Sequence, residues 1–152
     1  MKLPEAVRDA AEEGDAQAVA VWLDEGGGVD ARCAEQYGET LLMAAAAGGQ
    51  EAVVRMLLQR GASVNLQSPI GGTALMGAAI GGHTTVVQAL LDAKADASSQ
   101  DIDGWTAVMW AEHQEHTAAA QVLRQHTKQQ TAEAEAGACL LYTSDAADEV
   151  DS

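Results

Sequence analysis

The chain has 152 residues, a net charge of −15, and 47% hydrophobic residues but only 3% aromatic ones. This length and apolar content suit one globular domain and argue against wholesale disorder, and no apolar run approaches the roughly 18 residues that a membrane span needs. An isoelectric point near 4.3 disfavours nucleic acid and anionic membranes as partners, because phosphate binding requires clustered Lys and Arg.

One sequence unit repeats along the chain at a constant spacing. After a degenerate first copy, AVRDAAEEGDAQAVAVWLDEGGGVD, three segments align without a gap: YGETLLMAAAAGGQEAVVRMLLQRGASVN, IGGTALMGAAIGGHTTVVQALLDAKADAS and DGWTAVMWAEHQEHTAAAQVLRQ. Thr40, Thr73 and Thr106 recur at this period. Each predicts the N-cap of a helix, since its hydroxyl can accept a hydrogen bond from an unpaired backbone N–H.

Each unit predicts two helices. The first is rich in Ala, which lets it lie close to its neighbours, and Gly49 and Gly82 mark its end, where a residue with positive φ is favoured. The second carries the spacing V-V-x-x-L-L, which places an apolar stripe on one face and predicts that Leu57 and Leu90 are buried. No single unit can bury that stripe, so the units are expected to stack.

These motifs resemble the ankyrin repeat, in which a turn, two antiparallel helices and an extended link occupy about 33 residues. The chain shows the family's G-x-T three times, its G-H at Gly82-His83, and a form of its G-A-D-V-N at residues 61–65. The family's T-P-L-H departs here, with Met43, Met76 and Met109 at the His position. The resemblance implies an all-α fold, an ankyrin-repeat solenoid of stacked helix-turn-helix pairs with short β-hairpin-like loops.

The repeats predict one domain over residues 1–127, with copies at about 4–34, 35–67, 68–100 and 101–127. Charged residues on the first helix (Arg8, Asp9, Glu12 and Glu13) and Arg124 at a stacking position of the last copy are typical of capping repeats. Four repeats are therefore expected to form a complete stack, the alternative being a longer array cut short.

The C-terminal segment that follows the last copy lies outside the repeat pattern. Residues 128–138 are predicted to be a polar, Ala-rich linker. The string CLLYTSDAADE, which begins at Cys139, resembles the translation of the transposon mosaic-end adapter used in preparing sequencing libraries. Residues 139–152 are therefore expected to be a disordered, non-native tail, the alternative being a natural acidic tail.

The sequence offers little to support a catalytic or metal site. His113 and His116 have a metal-like spacing, but His116 falls at the G-H position of its repeat, and no third ligand lies near in sequence. The paired glycines lack the Lys-Ser/Thr of a phosphate-binding loop. Cys33 could in principle be a nucleophile, although a small packing residue is the favoured interpretation. We predict a protein that is not an enzyme and has no cofactor and no metal.

Protein binding is the predicted function. In the ankyrin family, the hairpin tips and the exposed face of the first helices form a concave surface that binds partners. The matching positions that could form such a surface here are Tyr37, Ile70, Ile80, Ile102, Trp105, Trp110 and His113. Exposed aromatic rings are common hot spots of interfaces. The alternative for Trp105 and Trp110 is that they fill space over the thin helices of the last repeat.

The resemblance thus implies a non-catalytic interaction module or scaffold, expected to be a monomer. Its acidic rim would favour a basic protein partner through faster association, with neither nucleic acid nor membrane as a partner. The N-terminus turns acidic too soon for a signal peptide, so a cytoplasmic or nuclear location is expected. The alternative function is a regulatory or targeting segment of a larger enzyme or channel, truncated at the adapter junction.

Overall fold

The computed structural model describes residues 2–34 and 38–127. Its helices are α1 (Glu5–Glu13), α2 (Ala16–Asp24), α3 (Leu41–Ala47), α4 (Glu51–Gln59), α5 (Ala74–Gly81), α6 (Thr84–Asp92) and α7 (Ala107–His113), followed by α8 over residues 117–127. In this part of the chain there is no β-strand, only isolated bridges that pair Leu3 with Cys33 and Arg32 with Thr40. The predicted all-α class is confirmed, whereas the predictions for residues 128–138 and 139–152 lie outside the described residues.

The helices form two layers. In one layer the first helices of successive repeats lie side by side, α1 against α3, α3 against α5, and α5 against α7. In the other, α2 packs on α4 and α4 on α6. The Ala residues of the first layer, among them Ala45 and Ala79, are completely buried. Small side chains at these positions are what allow neighbouring first helices to approach closely.

The predicted caps of the first helices are confirmed. The Oγ1 atom of Thr40 accepts a hydrogen bond from the backbone N–H of Met43 at 3.3 Å, and Thr73 and Thr106 cap α5 and α7 in the same way. At the other end, Gly49 and Gly82 have φ of +71° and +69°, the left-handed conformation in which Gly has no steric penalty. One cap and one Gly therefore delimit the first helix of both central repeats.

The stripe on the second helices forms the centre of the core. Val53, Val54 and Leu57 on α4 have no exposed surface, and Leu90 on α6 is equally buried. The predicted burial of Leu57 and Leu90 is confirmed. Cys33 is buried as well, beside Leu3, to which it is bridged, as expected for a packing residue.

A side chain at the turn of each of the two central repeats ties that repeat to the preceding one. Gln50 Nε2 donates to the carbonyl oxygen of Glu12 at 3.0 Å. One repeat later, His83 Nε2 lies 3.0 Å from the carbonyl oxygen of Ala47, to which the Nε2–H tautomer donates. Both acceptors lie near the C-terminal end of a first helix, where backbone carbonyls have no partner within the helix. An amide and an imidazole thus perform the same structural task.

We predict that His83→Ala lowers the free energy of unfolding by about 1 kcal/mol, because the Ala47 carbonyl loses its partner. The variant His83→Gln should recover most of that loss, since Gln50 makes the same bond in this fold. Urea unfolding of the three proteins measures both values. A Gln variant as unstable as the Ala variant would show that ring packing, and not the hydrogen bond, is what matters at this position.

Charged pairs lie at both ends of the described stack. Arg8 on α1 contacts Asp9, Glu12 and Glu39, and Arg124 on α8 contacts Glu112 on α7. The last repeat nevertheless leaves Met109 43% exposed. Its equivalents Met43 and Met76 are buried, at 6% and 2% exposure, because each is covered by a following repeat.

Candidate protein-interaction surface

Two hairpin tips project from the stack and are closed in the same way. In the third repeat, the backbone N–H of Ser68 donates to the carbonyl of Gly72 at 2.8 Å, and Ser68 Oγ accepts from the N–H of Gly72 at 3.1 Å. In the fourth repeat, Asp101 replaces Ser68: its N–H donates to the carbonyl of Trp105, and its Oδ1 accepts from the N–H of Trp105, both at 3.0 Å. The first residue of each tip, Ser68 or Asp101, therefore holds the conformation of the tip through both its backbone and its side chain.

The two tips touch each other and expose large aliphatic side chains. The backbone N–H of Ile102 donates to the carbonyl of Ile70 at 3.1 Å. Gly71 permits this approach, since its φ is +81° and a Cβ atom there would lie 2.7 Å from the Cα of Asp101. Ile70 and Ile102 are 52% and 71% exposed, so the tips present an apolar edge to solvent.

An aromatic cluster, Trp105, Trp110 and His113, covers the last repeat. The rings of Trp105 and Trp110 have centroids 4.7 Å apart, and His113 meets Trp105 edge-on at 5.2 Å. Both Trp residues are half-buried, and Trp110 also packs against the core. Contacts of this kind stabilise aromatic pairs beyond the area that they bury. The cluster holds the tip of the fourth repeat against α7.

Asp101 links the aromatic cluster to the tip. Its Oδ2 accepts a hydrogen bond from Trp110 Nε1 at 2.9 Å, and its Oδ1 also accepts from the N–H of Asp103. Burial alone would raise the pKa of Asp101, but the bonds from Trp105, Trp110 and Asp103 outweigh it and hold the pKa below its usual value. The carboxylate therefore stays ionised at neutral pH.

An open groove of about 280 Å³ runs between the tips and the first helices. Its walls are mainly apolar, and the ionisable residues among its described lining residues are acidic. The lining residues are Glu39, Met43, Ala47, Ser68, Ile70, Gly72, Thr73, Met76, Gly77, Ile80, Asp101 and Trp110. Ile80 on α5 is 40% exposed and lines the groove together with Ile70. We call this feature the concave groove.

The predicted binding residues separate into three groups. Ile70, Ile80 and Trp110 line the concave groove, while Trp105 and His113 lie behind them, against Trp110. Ile102 extends the apolar edge at the tip. Tyr37 lies outside the described residues.

Trp105 lies between the two interpretations given for it above. Its position is held by Glu39 and Gly72 in the earlier repeats, and its indole is half-buried against Trp110 and His113. Trp105 therefore fills space over the last repeat in part. Trp110 does so as well, because it packs against the core.

Sequence reasoning missed three features of the groove. Met43 and Met76 were identified only as replacements for the His of the family's T-P-L-H motif, yet both line the concave groove. Gly77 lines it too, and the signal was present: a Gly within a helix, where Ala44 and Trp110 stand in the neighbouring repeats. The role of Asp101 could have been read from the turn sequence D-I-D-G, since Asp opens and Gly closes such turns.

The His residues serve packing. The ring of His116 lies against Gly82, as the ring of His83 lies against Gly49, which supports the structural interpretation of His116. Within residues 2–34 and 38–127 no cluster of three His, Cys, Asp or Glu side chains could hold a metal ion. No helix in the same part of the chain is long and apolar enough to cross a membrane.

Comparison with known families agrees with the geometry. A family model described as ankyrin repeats (3 copies) matches residues 7–101 and 53–134. Because these overlapping matches span most of the chain, the protein belongs to the ankyrin repeat family. Ankyrin repeats are in general protein–protein interaction modules and are typically non-catalytic. The comparison with curated proteins gave no significant match.

Proposed function

We propose that this protein is a non-catalytic interaction module that binds a protein partner in the concave groove. The observation that carries the proposal is the pair Ile70 and Ile80, which are 52% and 40% exposed and both line that groove. Grouped apolar side chains exposed on a protein surface commonly mark interaction sites.

Stacking of the repeats does not explain these two side chains. The position of Ile80 is held by Ala47 and His113 in the adjacent repeats, and that of Ile70 by Tyr37 and Asp103. Residues of such different size and polarity show that the fold accepts a small or polar side chain there. Contact with a partner therefore explains the aliphatic side chains at residues 70 and 80 better than packing within the stack does.

The aromatic cluster supports the groove from one end. Trp110 forms part of the wall, and Trp105 and His113 fix its orientation from behind. A ring held in place before binding loses little conformational entropy in the complex. Ile102 and the tip of the fourth repeat widen the apolar surface beyond the groove, so a partner could contact both.

The test compares Ile80→Ala with Val21→Ala. Val21 on α2 is 44% exposed and does not line the groove, so it matches Ile80 in exposure and in its branched side chain. With a partner isolated on the immobilised wild-type chain, titration calorimetry should show affinity at least tenfold weaker for Ile80→Ala, about 1.4 kcal/mol, and unchanged for Val21→Ala. Equal affinities for Ile80→Ala and wild type would place the binding surface elsewhere.

A further inference from the structure

The charge, size and lining of the concave groove indicate the chemistry of the segment that binds there. Resting on the proposed function, we propose that the groove selects a polypeptide segment in which one aliphatic side chain, Leu or Met, stands next to Lys or Arg. The aliphatic side chain enters between Ile70 and Ile80 over the floor at Gly77, and the cation meets the carboxylates of Glu39 and Asp101 at the walls.

The charge of the groove favours a cation. Among the described residues that line it, Glu39 and Asp101 are ionisable, and none is Lys, Arg or His. The ion pair of Glu39 is with Arg8, at 3.4 Å, but Arg8 is shared with Asp9 and Glu12, so three carboxylates surround one guanidinium. Arg32 is also near, since its Nη1 donates to the carbonyl of Gly38 at 2.9 Å. Two guanidinium groups therefore stand against three carboxylates, and this end of the groove keeps a small excess of negative charge.

Asp101 adds a second uncompensated carboxylate. Its three donors are two backbone N–H groups and the indole of Trp110, none of which carries a full positive charge. No ion pair of Asp101 occurs within the described residues. A Lys or Arg at the groove would supply the charge that the fold does not, in a partly desolvated site where such a pair is less screened than in water.

The size of the groove suits an amino-acid side chain. Its volume of about 280 Å³ lies at the lower end of the roughly 300–1,000 Å³ typical of pockets for small molecules. Met43 and Met76 line it, and Met side chains adapt their shape to apolar groups of varied outline. A flexible aliphatic side chain suits such walls better than a rigid, planar ring.

Gly77 sets the depth of the groove. Packing does not require Gly here, since the atoms nearest to a Cβ atom would be those of Ala47, at an ordinary contact distance of 3.6 Å. Gly within a helix destabilises it by roughly 0.5–1 kcal/mol relative to Ala. Gly77 is therefore unfavourable for the helix and lines the groove without a side chain, whereas its equivalent in the last repeat is the large Trp110.

The experiment is selection of a phage-displayed library of random dodecapeptides on the immobilised full chain. We expect enrichment of peptides with Leu or Met adjacent to Lys or Arg. The enriched peptides, synthesised and titrated, should bind Gly77→Leu at least tenfold more weakly and Glu39→Gln at least fivefold more weakly than wild type. Val21→Ala is the matched control and should bind normally. Thermal unfolding checks that each variant is folded. If Gly77→Leu does not fold, the titration of Glu39→Gln tests the inference by itself.

The outcomes separate this inference from the proposed function. Peptides that depend on Ile80 but are neutral or acidic, and are unaffected by Glu39→Gln, would overturn the charge selection and leave the proposed function standing. Enriched peptides indifferent to both Ile80→Ala and Gly77→Leu would contradict both. A library in which nothing is enriched over an uncoated surface would also count against the inference.

Discussion

Leu57→Ala should lower the free energy of unfolding by about 2–5 kcal/mol, the range for removing a fully buried Leu side chain and leaving a cavity. Leu57 has no exposed surface and belongs, with Val53 and Val54, to the face of α4 that packs in the core. The neighbouring second helices α2 and α6 pack on α4 and limit how far the site can collapse, so the cavity should persist. The measurement is urea unfolding followed by circular dichroism.

Leu58→Ala provides the internal control. Leu58 is the next residue of the same helix but is only half-buried, so the same atoms are removed with less loss of buried area. Its effect should be clearly smaller than that of Leu57→Ala. A loss below about half a kcal/mol at Leu57 would mean that the apolar stripe does not lie where the repeat alignment places it.

The fold was largely predictable because the repeat supplies several independent signals at one spacing. Thr40, Thr73 and Thr106 fix where first helices begin, and Gly49 and Gly82 fix where they end. Any one of these signals is weak when it stands alone. Their recurrence at the same offset in successive copies makes the stack predictable even without knowledge of a single tertiary contact.

The side-chain arrangement at the last repeat was less predictable. Alignment compares Trp105 with Glu39 and Gly72, and this comparison suggests an exposed ring. It does not reveal that the ring of Trp110, at the position of Ala44 and Gly77, lies against the ring of Trp105. Trp105 and Trp110 both differ from the residues at their positions in the other repeats, and they contact each other. An alignment compares each position by itself, so it does not show a contact between two such residues.

The groove was predicted in outline but not in depth. Ile70, Ile80 and Trp110 were identified from their positions in the repeat, and all three line it. The acidic walls of the groove and its floor at Gly77 depend on side chains that are missing from these positions as much as on those that are there. A sequence shows that a Gly is there, but only the packed structure shows whether the space that it leaves is filled by a neighbour or open to solvent.

Two glycines in this fold should respond to the same substitution with opposite signs. Gly48 ends α3 with φ of −80°, a conformation that Ala adopts freely, so the backbone of the residue itself does not require Gly. A Cβ atom there would, however, lie well inside the contact distance of the carbonyl oxygen of Glu12. That oxygen also accepts the hydrogen bond from Gln50, so it cannot move without weakening the tie between the first two repeats.

Gly48→Ala should therefore lower the free energy of unfolding by about 1–3 kcal/mol, as expected when extra atoms are forced into a packed contact. Gly77→Ala should raise it by roughly 0.5–1 kcal/mol, because Ala favours the helix and its Cβ would meet Ala47 at an ordinary 3.6 Å. Urea unfolding of both variants beside the wild type gives the two signs directly. Stabilisation by Gly48→Ala would show that α1 does not pack against α3 as closely as described, and destabilisation by Gly77→Ala would show that the space at residue 77 is needed by the fold itself.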